Sequence, residues 1–203
     1  MDTLNKETAR ERYRALRRAL TPEARQAQAD AMQAHLLPWL DAKAPRRTLT
    51  CVLSYGAEPP TGRLMDALHA QGYRILVPIC EPGRRLSWTD WHPGIATSRS
   101  AVAPIAEPMG DRHGSDVMAG VDVVLVPAQA IDTTGARLGQ GGGYYDRFIA
   151  SLDEFTPRPL LLSMVYEHEF LPADSFVYNA LDRRVDAVLT PSGITWFGDD
   201  AAR

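Results

Sequence analysis

The sequence predicts an α/β protein of three layers, α/β/α, with a mostly parallel sheet covered by helices on both faces. Short apolar runs rich in β-branched residues recur at 49–54, 75–79, 121–126, 160–165 and 185–190, as expected of strands buried on both sides. Helical segments fit between several of them, at 61–71, closed by Gly72, and at 144–152. Such alternation implies parallel strands joined by crossovers. A glycine-rich stretch leads into the helix at 144–152, a position where α/β folds bind phosphate.

The chain opens with an amphipathic helix at 2–20. Leu4, Tyr13, Leu16 and Leu20 trace its apolar stripe, and Lys6, Arg10 and Arg14 follow i, i+4, i+8 spacing on another face. Six cations of this segment, Lys6, Arg10, Arg12, Arg14, Arg17 and Arg18, stand against Asp2, Glu7 and Glu11, so it offers a dock for an anion. Thr21-Pro22-Glu23 supplies an N-cap, a first-position proline and a first-turn acid for a second helix running towards Leu37. Pro38 and the basic-polar stretch 43–47 are expected to end it. Residues 84–91 read as an additional strand and 93–120 as mostly loop.

The 203 residues carry no repeat or compositional break, which predicts one domain over 1–203. A hydrophobic fraction of 45% is that of a globular chain. The net charge of −3 argues against a general nucleic-acid surface. No run approaches the roughly 20 apolar residues of a membrane span, and the charged N-terminus is unlike a signal peptide, so a cytoplasmic location is expected. Cys51 and Cys80 fall in apolar runs and read as free thiols. His35, His69, His92, His113 and His168 lack metal-ligand spacing. Nothing in the sequence specifies an oligomeric state.

The chemistry concentrates in Asp132-Thr-Thr-Gly135-Ala-Arg137-Leu138-Gly139-Gln140-Gly141-Gly142-Gly143-Tyr144-Tyr145-Asp146-Arg147. Glycines permit positive φ and close backbone approach, so that successive N–H groups can converge on an anion. Arg137 adds a guanidinium suited to bidentate contact, and Asp146 offers hard oxygen ligands for magnesium. The stretch lacks the Gly-Lys-Ser/Thr of a P-loop. Its glycines also lie about twelve residues beyond Val126, too far for a dinucleotide fingerprint.

This pattern resembles the signature of 5-formyltetrahydrofolate cyclo-ligases. Further landmarks follow in order: Lys6 and Arg10, then Arg17-Arg-Ala-Leu-Thr-Pro-Glu23, Leu53-Ser54 with Glu58 and Thr61, Glu107-Pro108, and Asp182 followed by Asp186-Ala-Val-Leu-Thr-Pro191. The resemblance implies a three-layer fold related to sugar-phosphate isomerases and coenzyme A transferases. It also implies ATP-dependent, magnesium-requiring conversion of 5-formyltetrahydrofolate to 5,10-methenyltetrahydrofolate, with ADP and phosphate released. By carry-over, Lys6, Arg10, Arg137, Leu138, Gly139, Gln140, Gly141, Gly142, Gly143, Tyr144 and Tyr145 would hold ATP, and Arg137 and Tyr144 would serve the reaction. Leu53, Glu58 and Tyr144 would face the pterin, and Asp146 and Asp182 would bind magnesium. The chain departs from the pattern at Gly142, where some members have lysine, at Ile131, over 165–169, and at Leu181, where histidine is frequent. Two other functions stay open: a non-catalytic folate- or nucleotide-binding regulator and, by fold relatedness, a sugar-phosphate isomerase.

Overall fold

The computed structural model describes residues 3–198. The first helix, α1 (Lys6–Ala19), begins later than the expected start at residue 2, because the Asn5 side chain accepts from Thr8 N and caps it; Asp2 lies outside the described residues. Its buried face also differs from the expected stripe. Ala9, Tyr13 and Arg17 face inward, whereas Leu16 is 40% exposed. The carboxyl partner that Arg17 finds, described below, lets a charged residue take the inward position.

The second helix, α2 (Pro22–Lys43), is capped by the Thr21 hydroxyl as expected, but it runs through Pro38 instead of stopping there. Leu36 and Leu40 flank the proline and are fully buried. Two such side chains contribute about 1.5–3 kcal/mol each, enough to offset the roughly 3 kcal/mol of an interior proline.

Then come β1 (Thr48–Thr50), α3 (Gly62–Ala70), β2 (Arg74–Glu81) and β3 (Arg85–Asp90). Residues 93–120, expected as loop, contain the antiparallel pair β4 (Thr97–Arg99) and β5 (Ala106–Pro108) and a 3₁₀ turn, Ser115–Gly120. Glu107 holds this pair to the main sheet, its Oε1 accepting from Cys80 N at 2.7 Å. The remaining elements are β6 (Val123–Val126), β7 (Ala130–Asp132), β8 (Arg137–Leu138), α4 (Tyr144–Ser151), β9 (Leu160–Met164), β10 (Phe170–Leu171), β11 (Ala187–Thr190) and β12 (Gly193–Trp196).

Among the described residues the main sheet has seven strands in the order β12-β11-β9-β6-β1-β2-β3. The five central strands are parallel and both edges antiparallel. On one face, Met32, Leu36 and Leu40 of α2 and Leu64, Met65 and Leu68 of α3 cover Leu49, Ile75, Val77, Val123 and Leu162. On the other, Phe148 and Ile149 of α4 and Met118 cover Leu76, Val124, Leu161 and Val188. Alternate residues of β6 thus enter opposite cores, the mark of a strand buried on both faces.

A second sheet, β10-β7-β8, projects beyond the carboxyl end of β6, and α1 packs on it through Ala9 and Tyr13 against Ala130, Ala136 and Leu138. The chain winds from β1 to β2 and β3 on one side and resumes with β6 on the other. The carboxyl ends of β1 and β6 therefore flank a topological switch point, where open α/β sheets place their ligands.

Candidate active site

The glycine-rich stretch is tied down at its start. Asp132 is buried, and its Oδ1 accepts from Thr134 N at 2.8 Å, Thr134 Oγ1 at 2.6 Å and Ala136 N at 3.2 Å, closing the turn between β7 and β8. Gly135 takes φ +78° in that turn, and a Cβ there would lie 2.8 Å from the Val185 carbonyl oxygen. The leading Asp and Gly of the motif are therefore scaffold, and the chemistry follows them.

Arg137, on β8, is only 5% exposed. One terminal nitrogen donates to Asp146 Oδ1 at 2.6 Å and the other to the Pro127 carbonyl at 3.2 Å, while its buried Nε has no partner among the described residues. The residues expected to meet phosphate and metal thus meet each other. The Arg183 amide also donates to Asp146 Oδ1, at 3.2 Å, and Oδ2 receives no bond from the described residues.

From the other end of the chain, Lys6 Nζ donates to both Asp182 oxygens, at 2.5 and 2.6 Å, and Asn179 N donates to Asp182 Oδ2 at 2.7 Å. Arg10 Nε donates to the Gly139 carbonyl at 2.9 Å. Its guanidinium carbon lies 3.3 Å from where a Cβ on Gly141 would stand, and Gly141 has φ +98°. Helix α1 is held for these contacts by a buried fork: Arg17 Nε and a terminal nitrogen donate to Glu169 Oε1 and Oε2 at 2.5 and 3.0 Å, and Arg17 also donates to the Ala128 carbonyl at 2.6 Å.

Lys6, Arg10, Arg137, Gly141, Asp146 and Asp182 line a cleft of about 390 Å³, with Arg84, Arg147, Arg183, Leu138, Gly139, Gly143 and the 179–182 loop completing the wall. That volume is in the range of about 300–1,000 Å³ usual for small-molecule sites. Among the described residues six cationic side chains line it, Lys6, Arg10, Arg84, Arg137, Arg147 and Arg183, against the carboxylates Asp146 and Asp182. Gly143, left-handed at φ 71°, opens α4 onto the cleft with no side-chain cap, so first-turn N–H groups remain available to an anion.

Arg84, Arg147 and Arg183 were not singled out from the sequence as anion contacts. Arg147 stands inside the glycine motif, and Pro82-Gly83 marks Arg84 as a turn residue, so both left a trace. The paired role of Arg17 and Glu169 left none, because they are 152 residues apart.

The expected pterin contacts are arranged around the switch point. Glu58 joins Cys51, Thr61, Val126 and Pro127 around a cavity of about 30 Å³, room for a water rather than a ring system. Glu58 Oε2 accepts from Tyr55 N at 3.0 Å, and Oε1 accepts from Gln140 Nε2 at 3.1 Å. Gln140 Oε1 in turn accepts from the fully buried Gln129. This chain of amides couples the glycine loop to the loop after β1. Leu53 packs against the first core and lines neither space.

Tyr144 stands beside Gly142, its ring 3.1 Å from a Cβ built there. Burial, then proximity to Cys80 and Glu107, raises its phenol pKa, so the hydroxyl stays protonated at neutral pH. Burial also raises Tyr145, whose hydroxyl is enclosed with no partner among the described residues. Both cysteines are free, and burial pushes Cys51 and Cys80 up to about 12, removing thiolate chemistry at neutral pH.

Among the described residues no group of three His, Cys, Asp or Glu side chains converges as a metal cage. Magnesium does not need one, since it commonly takes one or two carboxylates together with substrate phosphates. Asp146, with its free Oδ2, fits that mode, and Asp182 fits it once Lys6 moves to an anionic ligand.

Fold and cleft together define an α/β protein with a cationic cleft of small-molecule size at the carboxyl end of its sheet. The sequence matches the 5-formyltetrahydrofolate cyclo-ligase family over residues 2–191. It is 31% identical over 181 residues to the 5-formyltetrahydrofolate cyclo-ligase of Mycolicibacterium smegmatis, covering 86% of this chain and 88% of that one. It is 28% identical over 183 residues to the Escherichia coli enzyme of that name, covering 89% and 97%. The fold is shared with the 5,10-methenyltetrahydrofolate synthetase of Aquifex aeolicus, at TM-score 0.76 and 22% identity over 96% of this chain and 93% of that one. The synthetase of Mycoplasma pneumoniae superposes at TM-score 0.73 and 16% identity, over 93% and 99%. The chain belongs to the 5-formyltetrahydrofolate cyclo-ligase family and is an enzyme of the ligase class. No helix among the described residues is long and apolar enough to cross a membrane.

Proposed function

We propose that this protein uses ATP to cyclise 5-formyltetrahydrofolate to 5,10-methenyltetrahydrofolate, releasing ADP and phosphate. The observation that carries the reading is the cleft in which cations from both ends of the chain, Lys6 and Arg10 on α1 and Arg137 on β8, meet around the glycine loop and the uncapped start of α4. Phosphoryl transfer asks a protein chiefly to align reactants and neutralise oxygens, and no side-chain nucleophile is required.

In this mechanism the folate formyl oxygen attacks the terminal phosphorus and ADP departs. N10 then attacks the activated carbon, loses its proton, and the phosphate leaves with the former formyl oxygen. Lys6 and Arg10 hold the polyphosphate, and Arg137 fixes Asp146 and the loop backbone around it. Asp146 and Asp182 are the side chains to hold magnesium, which when bound supplies charge neutralisation on phosphate oxygens. Glu58 accepts hydrogen bonds from pterin N–H groups, and neutral Tyr144 donates at the border between the substrates, while Leu53, packed into the core, supports the loop that carries Glu58.

For Glu58 Oε1 to accept from a pterin it would release Gln140, so folate binding and loop position are linked in this reading. The test is to incubate purified protein with 5-formyltetrahydrofolate, ATP and magnesium. The methenyl chromophore should grow only with ATP present. Turnover independent of ATP would contradict the reading, as would folate binding with no turnover, the behaviour of a regulator.

A further inference from the structure

We infer that Arg84, at the tip of the β2–β3 hairpin, is a phosphate-contacting residue that completes the nucleotide site from across the sheet. The inference rests on the proposed use of the cleft by ATP. Lys6, Arg137 and Arg10 already have acceptors: Lys6 has Asp182, Arg137 has Asp146 and Pro127 O, and Arg10 has Gly139 O and Glu7. Arg84 pairs with no carboxylate among the described residues, yet its side chain lines the same cleft. Its terminal nitrogen lies 3.7 Å and its Cδ 3.8 Å from where a Cβ on Gly143 would stand, over the first residue before α4. A planar, permanently charged guanidinium is thereby set against the N-terminal amides of that helix, and both favour anionic oxygens.

The backbone around it is built for this placement. Gly83 and Arg84 are successive left-handed residues, at φ 75° and 59°, an uncommon conformation for arginine. The Gly83 carbonyl accepts from Arg147, another cleft cation, at 3.4 Å, which ties the hairpin tip to α4. No loop cation is available at position 142, which is glycine. Arg84 brings positive charge to that side of the loop from a different strand pair.

Equilibrium titrations of the full-length protein with ATP and magnesium, without folate, test the assignment. Arg84→Gln should weaken nucleotide binding roughly tenfold, as expected for one lost charge-assisted contact, while Arg84→Lys recovers part of the loss. Titration with 5-formyltetrahydrofolate alone should stay within twofold of the parent protein. Unchanged nucleotide binding in Arg84→Gln would overturn the inference. So would a loss confined to the folate titration, which would assign the guanidinium to the carboxylates of the glutamate tail. The side chain is exposed and pairs with no carboxylate among the described residues, so melting curves should coincide. Failure of catalysis in the parent protein would count against the proposed reaction and leave these binding comparisons intact.

Discussion

Lys6 and Asp182 meet at 2.5 Å across 176 residues of sequence. The contact closes the cleft between α1 and the 179–182 loop, and it joins a residue expected to hold ATP to one expected to hold magnesium. Each neutralises the other. Under the proposed function nucleotide and metal together would provide both with better partners, so binding and loop rearrangement are expected to be one event.

Lys6→Met is therefore expected to raise the ATP KM about tenfold, the loss of one charge-assisted contact, with a much smaller change in the folate KM. The effect on stability should be about 1 kcal/mol or less, because the pair is partly solvated. Steady-state kinetics and urea unfolding measure the two separately.

Arg137→Ala removes the guanidinium that fixes Asp146 and bridges to Pro127. Turnover should fall by about a hundredfold or more, since a displaced positioning group of this kind can cost that much. Undiminished turnover would show that Arg137 serves only the fold.

Gly139→Ala tests the same guanidinium without deleting it. A Cβ at this position would stand 2.6 Å from the Arg137 terminal nitrogen, which has little room to retreat at 5% exposure. Reduced kcat with an intact fold by circular dichroism is the expected outcome.

Arg17 and Glu169 form an ion pair from which solvent is excluded, with side chains 4% and 0% exposed. Removing one partner strands the other, so Arg17→Met should destabilise by about 3–5 kcal/mol, and Arg17→Met/Glu169→Leu should recover much of that. Chemical denaturation of the two variants gives the comparison.

His168 stacks on Tyr166, and burial together with the Arg17 charge lowers its pKa from the ordinary 6.5. A depressed folded-state pKa means that the unfolded chain takes up the proton first. The stability contributed by neutral His168 is present above pH 6.5 and is lost as pH falls through the folded value. Thermal melts should show a smaller acid loss in His168→Phe than in the parent protein.

Much of this arrangement was readable from residue patterns. The five parallel strands, α3, α4 and the place of the glycine loop after β6 all follow from periodicity and the glycine motif, because burial on both faces leaves continuous apolar runs. Pro38 misled because local propensity cannot register the packing of Leu36 and Leu40 on the far side of the helix. Strands β7, β8 and β10 escaped because two- and three-residue ladders have too few side chains to show a period. Leu16 seemed a better core residue than Arg17 until Glu169, far along the chain, made the charge tolerable. The family resemblance implied Lys6, Arg10, Arg137, Asp146 and Asp182 as ligand contacts, but the pairing of Lys6 with Asp182 and of Arg137 with Asp146 is a property of the closed chain. Arg84 reaches the cleft through a hairpin tip whose direction sequence does not state.

The central claim is that the cleft aligns the formyl oxygen with the terminal phosphorus. Running the reaction with 5-formyltetrahydrofolate carrying ¹⁸O in the formyl group tests it most directly, with released phosphate analysed by mass spectrometry. One labelled oxygen per phosphate, matched to one methenyl product, is the predicted result. Unlabelled phosphate formed alongside the methenyl product would contradict the account, since the formyl oxygen would then have left by a route that does not pass through phosphorus.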